Sequence, residues 1–385
     1  MTRKIYLSGR AIGPYRVQTL MTYLMDSDID FFYLNSDRVG ALFSERKSMG
    51  WRIVRKLLQL VLFIAFLPLR LITIACSDTV YILPMCQGLR GTLFDQIVAR
   101  LLGKRVISEI YYSVYDSEVY DRKVVTEGSL KAKWIKGYER FFISLLTDVV
   151  FLNRSEYEYY KQLLGLKLEQ QQLHFHSLVA LPRDKAELPY FHGKAETITI
   201  VWWGRFYPLH GLEKIIDAGA VLKRQGLDFK LVLFGNDAAK AKPYQEQIDH
   251  LGINDHVILR NDATFNNGKL TSFLQHHADL ALGNFGDSGK ARTVMCNKIL
   301  DALGMGLPIL TMPSAATVEL LDKDRDVFIC ENSPQSIADA IVRLSGDREG
   351  ACEAARLGRN TFLKQFTPAH YTNFVAELLN SARDV

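Results

Sequence analysis

The chain has 385 residues, 48% hydrophobic and 23% charged, with a net charge of +5. That length suits two domains with real cores, and the composition excludes a disordered or fibrous chain. Its five cysteines, Cys76, Cys86, Cys296, Cys330 and Cys352, are odd in number and form no CxxC pair, against a disulfide framework or a zinc centre and for a reducing compartment.

The charge is unevenly placed. Residues 1–186 hold 26 Lys/Arg against 18 Asp/Glu, and residues 187–385 hold 21 against 24, so the halves carry +8 and −3. A basic half points to a polyanion or an anionic membrane. No stretch resembles a nucleic-acid module, so the membrane is expected and nucleic acid is not. The N-terminus MTRKIYLSG lacks the apolar core of a signal peptide and reads as a strand.

In chain order, residues 4–8 read as a strand. A loop with Gly9, Gly13 and Pro14 follows, then a helix over 17–25. Strand, glycine loop and helix open a doubly wound domain, but there is no GxGxxG to support dinucleotide binding. Gly13 and Arg16, with Arg10, are candidates to face a substrate at this loop; the competing reading is ordinary solvated arginines. Residues 31–34 form a second strand.

Residues 46–76 are unusual: six Lys/Arg (Arg46, Lys47, Arg52, Arg55, Lys56, Arg70) and no acid flank a strongly apolar body. That body, 57–69, contains Gln59 and Pro68 and is short of the about 20 apolar residues a spanning helix needs. Basic flanks with Trp51, Phe63 and Phe66 fit a helix lying in a membrane interface; Trp51, Arg52, Arg55, Lys56, Phe63 and Phe66 are its expected contacts. The competing reading is a buried helix pair with surface arginines.

A strand at 79–83, a helix at 94–102 and a strand at 105–111 lead to a polar, aromatic loop, 111–123. Ligands of open α/β sheets sit at the carboxyl ends of strands. Asp116, Glu118, Asp121 and Arg122 are therefore candidates for acceptor binding or acid/base work. Helices at 138–146 and 155–164 and strands at 149–152 and 173–181 follow. His174 and His176 alternate with apolar residues there, beside a core rather than on a metal. Residues 182–197 read as a linker.

The second half repeats the α/β pattern, with strands at 197–203, 230–234 and 257–259 and helices running to 224, at 244–251 and at 270–276. An apolar run, 278–283, then feeds a glycine-rich loop, a short helix from Asn297 and another strand, as a parallel sheet builds an anion site. Asn297 and Asp301 share a helix face, and a carboxylate there suits a ribose diol. A strand at 327–330 and helices at 333–344, 350–362 and 368–381 close the chain.

These loops resemble those of the GT-B glycosyltransferases: two Rossmann-like, doubly wound parallel-sheet domains facing a cleft. The second half is similar to the donor domain of the family 4 retaining enzymes. The resemblance rests on Gly204-Arg205, the PLHG of 208–211, Phe234-Gly235 and NKILDALGMGLPIL over 297–310. It implies an N-terminal acceptor and membrane-facing domain (1–186), a nucleotide-sugar domain (187–365) and a terminal segment (366–385) that returns to the first domain.

It also implies that Gly204, Arg205, His210, Gly235, Met295, Cys296, Asn297 and Lys298 hold the donor diphosphate, with His210 standing where many members have lysine and Lys298 supplying charge. Asp301 takes the ribose. Thr293 stands where the family has a sugar-binding glutamate, so the sugar stays open. No histidine exists in 105–123, and Asp116 or Tyr112 fills the place of one that many relatives carry there. With Arg205 and Asp116 as the expected catalytic residues, the implied protein is a metal-independent transferase. It needs no cofactor beyond an NDP-sugar co-substrate and extends a lipid-linked or polysaccharide acceptor at the cytoplasmic membrane face. A sugar-nucleotide epimerase and a non-catalytic nucleotide-sugar binder remain alternatives.

Overall fold

A computed structural model describes residues 3–11, 15–34, 49–84, 86, 90–235 and 237–381. Two six-stranded parallel sheets organise it. The first joins β1 (Lys4–Ser8), β2 (Asp30–Tyr33), β3 (Thr79–Ile82), β4 (Arg105–Ile110), β5 (Asp148–Phe151) and β6 (Gln172–Phe175) in the order β2-β1-β3-β4-β5-β6. The second joins β7 (Ile198–Trp203), β8 (Phe229–Phe234), β9 (Val257–Arg260), β10 (Leu280–Leu282), β11 (Ile309–Thr311) and β12 (Phe328–Ile329) in the order β12-β11-β10-β7-β8-β9. Strands covered on both faces must be apolar throughout. The central strands β3, β5 and β10 are accordingly buried at every residue. The double winding expected from the sequence is therefore present twice.

In the first half, α1 (Tyr15–Asp26), α2 (Met49–Ala65), α3 (Leu67–Cys76), α4 (Arg90–Leu101), α5 (Leu130–Ser144) and α6 (Arg154–Leu164) connect the strands. In the second lie α7 (Leu212–Arg224), α8 (Ala238–Leu251), α9 (Lys269–His276), α10 (Gly289–Thr293), α11 (Asn297–Met305), α12 (Ala315–Leu320), α13 (Pro334–Gly346), α14 (Arg348–Gln365) and α15 (Pro368–Asn380). Several starts are fixed by side chains that accept from the first turn: Ser129 for α5, Asn153 for α6, Asp237 for α8 and Thr367 for α15. Helix α5 begins eight residues before the 138 expected from periodicity. Its early apolar residues, Leu130 and Trp134, point outward and blur the single buried stripe the pattern relies on.

Two cores result. One is built from 152–366; the other from 5–179 together with Tyr371, Val375, Leu378 and Leu379 of α15. Helix α15 packs on α1, and the Tyr371 hydroxyl donates to Glu109 of β4. Glu109 also takes the Tyr81 hydroxyl and pairs with Arg16 at 2.6 Å, both partners about 1% exposed.

The basic apolar segment forms α2 and α3, and backbone hydrogen bonds continue through the junction at Phe66 (Phe66 N to Leu62 O, 3.0 Å; Arg70 N to Phe66 O, 2.9 Å). Val54, Leu57, Leu60, Val61, Ile64, Phe66, Leu69 and Ile72 face solvent. Phe63, expected to face a membrane, instead packs edge-on against Phe94 of α4, 5.4 Å between centroids, because it lies on the opposite side of the helix from Val54 and Val61. Arg70 is buried, 3.4 Å from Asp95, rather than a surface charge. The side chains of Trp51, Arg52, Arg55 and Lys56 lie outside the described residues. Among those described, no helix is long and apolar enough to cross a membrane.

Candidate functional site

In the second sheet the strand order reverses between β7 and β10, and the loops leaving these two strands open a crevice at their carboxyl ends. From β7 come Gly204, Arg205 and a tight turn, Pro208–His210, closed by Gly211. From β10 comes the loop of 283–288. The two loops touch: Phe285 N donates to His210 O at 3.0 Å. Gly211 has φ +57°, and a Cβ there would stand 2.2 Å from Phe285 O, so only glycine permits the approach. Gly235, at the end of β8, is equally constrained, since a Cβ would fall 2.1 Å from the Phe206 ring.

Helix α11 enters this crevice with Cys296 at its N-cap and no side chain closing its first amides. Met295 and Cys296 are buried there. Lys298, in the first turn, is buried over the Trp202 ring (4.2 Å), donates to Gly283 O (3.2 Å) and lies 3.3 Å from His210 Nδ1. Burial pulls the Lys298 ammonium down to about 7. Burial, then the Lys298 charge, holds His210 well below the usual histidine range, so its ring is neutral. Arg205 is exposed and donates to the Tyr207 hydroxyl at 3.3 Å. A helix N-terminus, a buried lysine and a neutral imidazole thus meet where an anion would sit, with Arg205 on the same β7 loop at its exposed side.

Asp301 lies one turn further along α11. Burial raises its carboxyl to about 6, opposed by Arg183, whose guanidinium stands 4.0 Å away. The Thr293 hydroxyl donates back to Gly289 O at 2.8 Å and so closes on its own short helix.

The facing wall belongs to the first sheet. After β4 the chain turns through 113–121, and Glu139 of α5 holds that turn. Its carboxylate accepts from the Ser113 hydroxyl (2.9 Å), Val114 N (2.9 Å) and Tyr115 N (3.0 Å). Asp116 is fully buried, accepts from the Tyr159 hydroxyl at 2.8 Å, and has its pKa raised chiefly by burial. From the donor side, Lys290 crosses the cleft. Its ammonium donates to Ser117 Oγ at 3.0 Å, stands 3.6 Å from Asp121 Oδ2 and covers the Tyr112 ring at 5.7 Å. Arg122 stacks over Tyr207 at 5.4 Å.

Thus Asp116, Asp121 and Arg122 come together opposite Arg205, His210 and Lys298. Arg16 does not join them: it is sealed under the first sheet with Glu109, donating also to His176 O (2.8 Å) and Ser177 O (3.1 Å). It serves packing, not an acceptor. Gly13 lies outside the described residues. Sequence reasoning missed Lys290 as a cleft residue, Glu139 as the support of the 113–121 turn and Arg183 beside Asp301. A lysine in the glycine loop was visible as a signal; the other two are contacts across more than twenty residues and leave no local trace. Among the described residues, no cluster of three or more His, Cys, Asp or Glu could hold a metal ion.

Residues 197–347 match the family model described as Glycosyl transferases group 1. No curated protein sequence matches the chain. Among solved structures, HepE of Anabaena in complex with UDP-glucose aligns over 99% of this chain and 100% of its own, at 14% identity and TM-score 0.64. Sucrose-phosphate synthase from Thermosynechococcus elongatus aligns over 98% of each chain, at 12% identity and TM-score 0.68. The lipopolysaccharide outer core galactosyltransferase WaaB aligns over 98% of this chain and 99% of its own, at 10% identity and TM-score 0.59. At such identities the likeness establishes the fold, GT-B, over the whole chain.

Proposed function

We propose, from a group 1 glycosyl transferase domain at 197–347 set within a GT-B fold, that this protein transfers a sugar from a nucleoside diphosphate sugar to a lipid-linked or polysaccharide acceptor, with retention, at the cytoplasmic face of an anionic membrane. The observation that carries the donor half is the meeting of His210, Lys298 and the α11 N-terminus at the switch point of the second sheet, with Arg205 on the adjoining β7 loop. The bond from the anomeric carbon to the diphosphate breaks, and its electron pair stays on the phosphate oxygen. The acceptor hydroxyl forms the new bond on the face from which the diphosphate leaves, which gives retention, and its proton passes to the Asp116 carboxylate. Charge developing on the diphosphate meets preorganised cations and amides, the largest expected contribution to rate. Asp301 holds the ribose, and Asp116 is the acid/base group of the acceptor side.

The membrane half rests on α2 and α3. A row of exposed apolar side chains sits on a segment that, apart from the buried Arg70, has five Lys/Arg and no acid, which suits insertion among anionic headgroups. A transferase working on a lipid-borne acceptor needs such a contact, and WaaB, named for lipopolysaccharide, shares the architecture.

The test is thermal stabilisation of the purified chain against UDP-, GDP-, ADP- and TDP-sugars, UDP-glucose first. A ligand of the folded state raises the melting temperature. A rise with one donor that disappears in Arg205→Ala, joined to slow release of free sugar and nucleoside diphosphate, supports the transferase. Isomerised sugar would make it an epimerase, and binding without either product would make it a binder.

A further inference from the structure

We infer that the outer face of α5 is a second membrane-docking surface, which seats the acceptor turn directly on an anionic bilayer. This rests on the membrane reading above and extends it to a helix that reading does not use. Four large apolar side chains are exposed around the start of α5: Val124 62%, Leu130 86%, Trp134 66% and Phe141 47%. At 3.6 residues per turn, Leu130, Trp134 and Phe141 fall within about 40° of one another around the helix axis. Glu139, which holds the acceptor turn, lies on the opposite side. The helix therefore has two apolar faces, and only the inner one (Ala132, Ile135, Phe142, Ile143) has a core to enter.

The flanking chemistry names the occupant. Lys131 and Lys133 border the outer stripe and Lys123 precedes it, all exposed; Glu127 is the acid nearby, and it accepts from the Tyr120 hydroxyl. A tryptophan–leucine–phenylalanine stripe rimmed by lysines fits a bilayer interface with anionic headgroups. The stripe also continues the face already assigned to α2 and α3. Right-handed crossovers from β2 through β5 put α2, α3, α4 and α5 on one side of the sheet. Phe63 on Phe94 and Arg70 on Asp95 tie α2 and α3 to α4, and Gln96 of α4 donates to Phe142 O of α5 at 3.2 Å. Helix α4 exposes Ile97 and Leu101 between them.

The consequence is mechanical. In a strand–helix unit the helix starts at the carboxyl end of its strand, so Leu130 and Trp134 lie at the cleft edge. The inner side of the same helix fixes 113–115 through Glu139, and Lys136 covers the Tyr115 ring at 5.4 Å. Docking α5 sets the depth at which the turn that carries Asp116 and Asp121 meets a lipid-borne acceptor.

The experiment uses the full chain with vesicles of phosphatidylcholine, with and without phosphatidylglycerol. Measured in a Trp51→Phe background, brominated lipids should quench the parent more than the chain that also carries Trp134→Phe, since the remaining Trp202 and Trp203 are buried in the second core. Leu130→Ser/Trp134→Ser should weaken binding to anionic vesicles by about tenfold or more, while donor-induced thermal stabilisation stays as in the wild type. Equal quenching with and without Trp134→Phe in that background, or unchanged vesicle binding of Leu130→Ser/Trp134→Ser, overturns the α5 surface. If Leu57→Ser/Val61→Ser/Ile64→Ser still loses binding in that case, the membrane reading itself survives. A wild type that binds no vesicle overturns both. A change of oligomeric state in the double variant without loss of vesicle binding would make the face a protein interface and overturn the proposal.

Discussion

At the scale of single residues, the crevice of the second sheet is governed by a lysine that pairs with no carboxylate among the described residues. Lys298 is buried against Trp202 and a neutral His210, and burial brings its ammonium to about 7. Its folded value lies below its unfolded one, so the unfolded chain binds more protons between about pH 7 and 10.5, and stability without ligand rises with pH across that window. A bound diphosphate favours the charged form. Donor affinity should therefore be greatest below about pH 7 and fall as pH rises through it. Calorimetry at pH 6 and pH 8.5 checks this. Lys298→Met should bind about 10- to 100-fold more weakly at pH 6 and lose the pH dependence, since a hydrogen bond to a charged group contributes about 1.5–3 kcal/mol; a parallel slope in the variant would place the titration elsewhere. Asp116→Asn keeps shape and removes a base. Turnover should drop by about 100-fold or more with donor binding retained, and undiminished turnover in a steady-state assay would take Asp116 out of the chemistry.

At the scale of elements, α5 does two jobs with two faces. Its inner carboxylate, Glu139, is raised to about 7 by burial, against the stabilising pull of the Tyr115 and Val114 amides and the Ser113 hydroxyl. A carboxyl raised on folding contributes stability that is fully present below about pH 4.5 and lost as pH rises through 7. Glu139→Ala strands two buried backbone amides and should lower stability by about 2–4 kcal/mol in urea unfolding. It should also lower turnover more than donor affinity, because the turn it releases carries Asp116 and not the diphosphate groups. Equal losses in both would mean the turn is held by its own backbone. Helices α2 and α3 repeat the theme: one side packs on α4 through Phe63 and Arg70, the other stays apolar and open.

At the scale of the whole molecule, the cleft is bridged by few contacts. Lys290 reaches Ser117 and Asp121, and Glu319 of α12 accepts from Arg154 N (2.9 Å), Ser155 N (2.8 Å) and the Ser155 hydroxyl (2.6 Å) at the start of α6. A carboxylate at a helix N-terminus contributes about 0.3–1 kcal/mol when exposed, so this closed form is lightly held. Lys290→Met/Glu319→Gln should open the cleft, and small-angle scattering of the free chain should show a larger radius of gyration. The scattering should return toward the wild-type value when donor is added. An unchanged radius would mean that Arg122 on the Tyr207 ring and the packing of Tyr15 against both cores, not Lys290 and Glu319, hold the two halves together.

The sequence by itself determined the two runs of buried strands, the glycine loops at their carboxyl ends and the basic character of the first half. These follow from local pattern: strand period, turn chemistry, and the spacing of residues along one helix. What only the tertiary structure decided is which of those groups are open. Arg16 and Arg70 look alike in sequence to any surface arginine, yet each is buried against an acid in another element, Glu109 and Asp95. Phe63 and Phe66 sit three residues apart and face opposite environments. Lys290 finds its partners 169 and 173 positions away. The free energy of a charge depends on what surrounds it after folding, and that surrounding is assembled from parts of the chain that no local window contains.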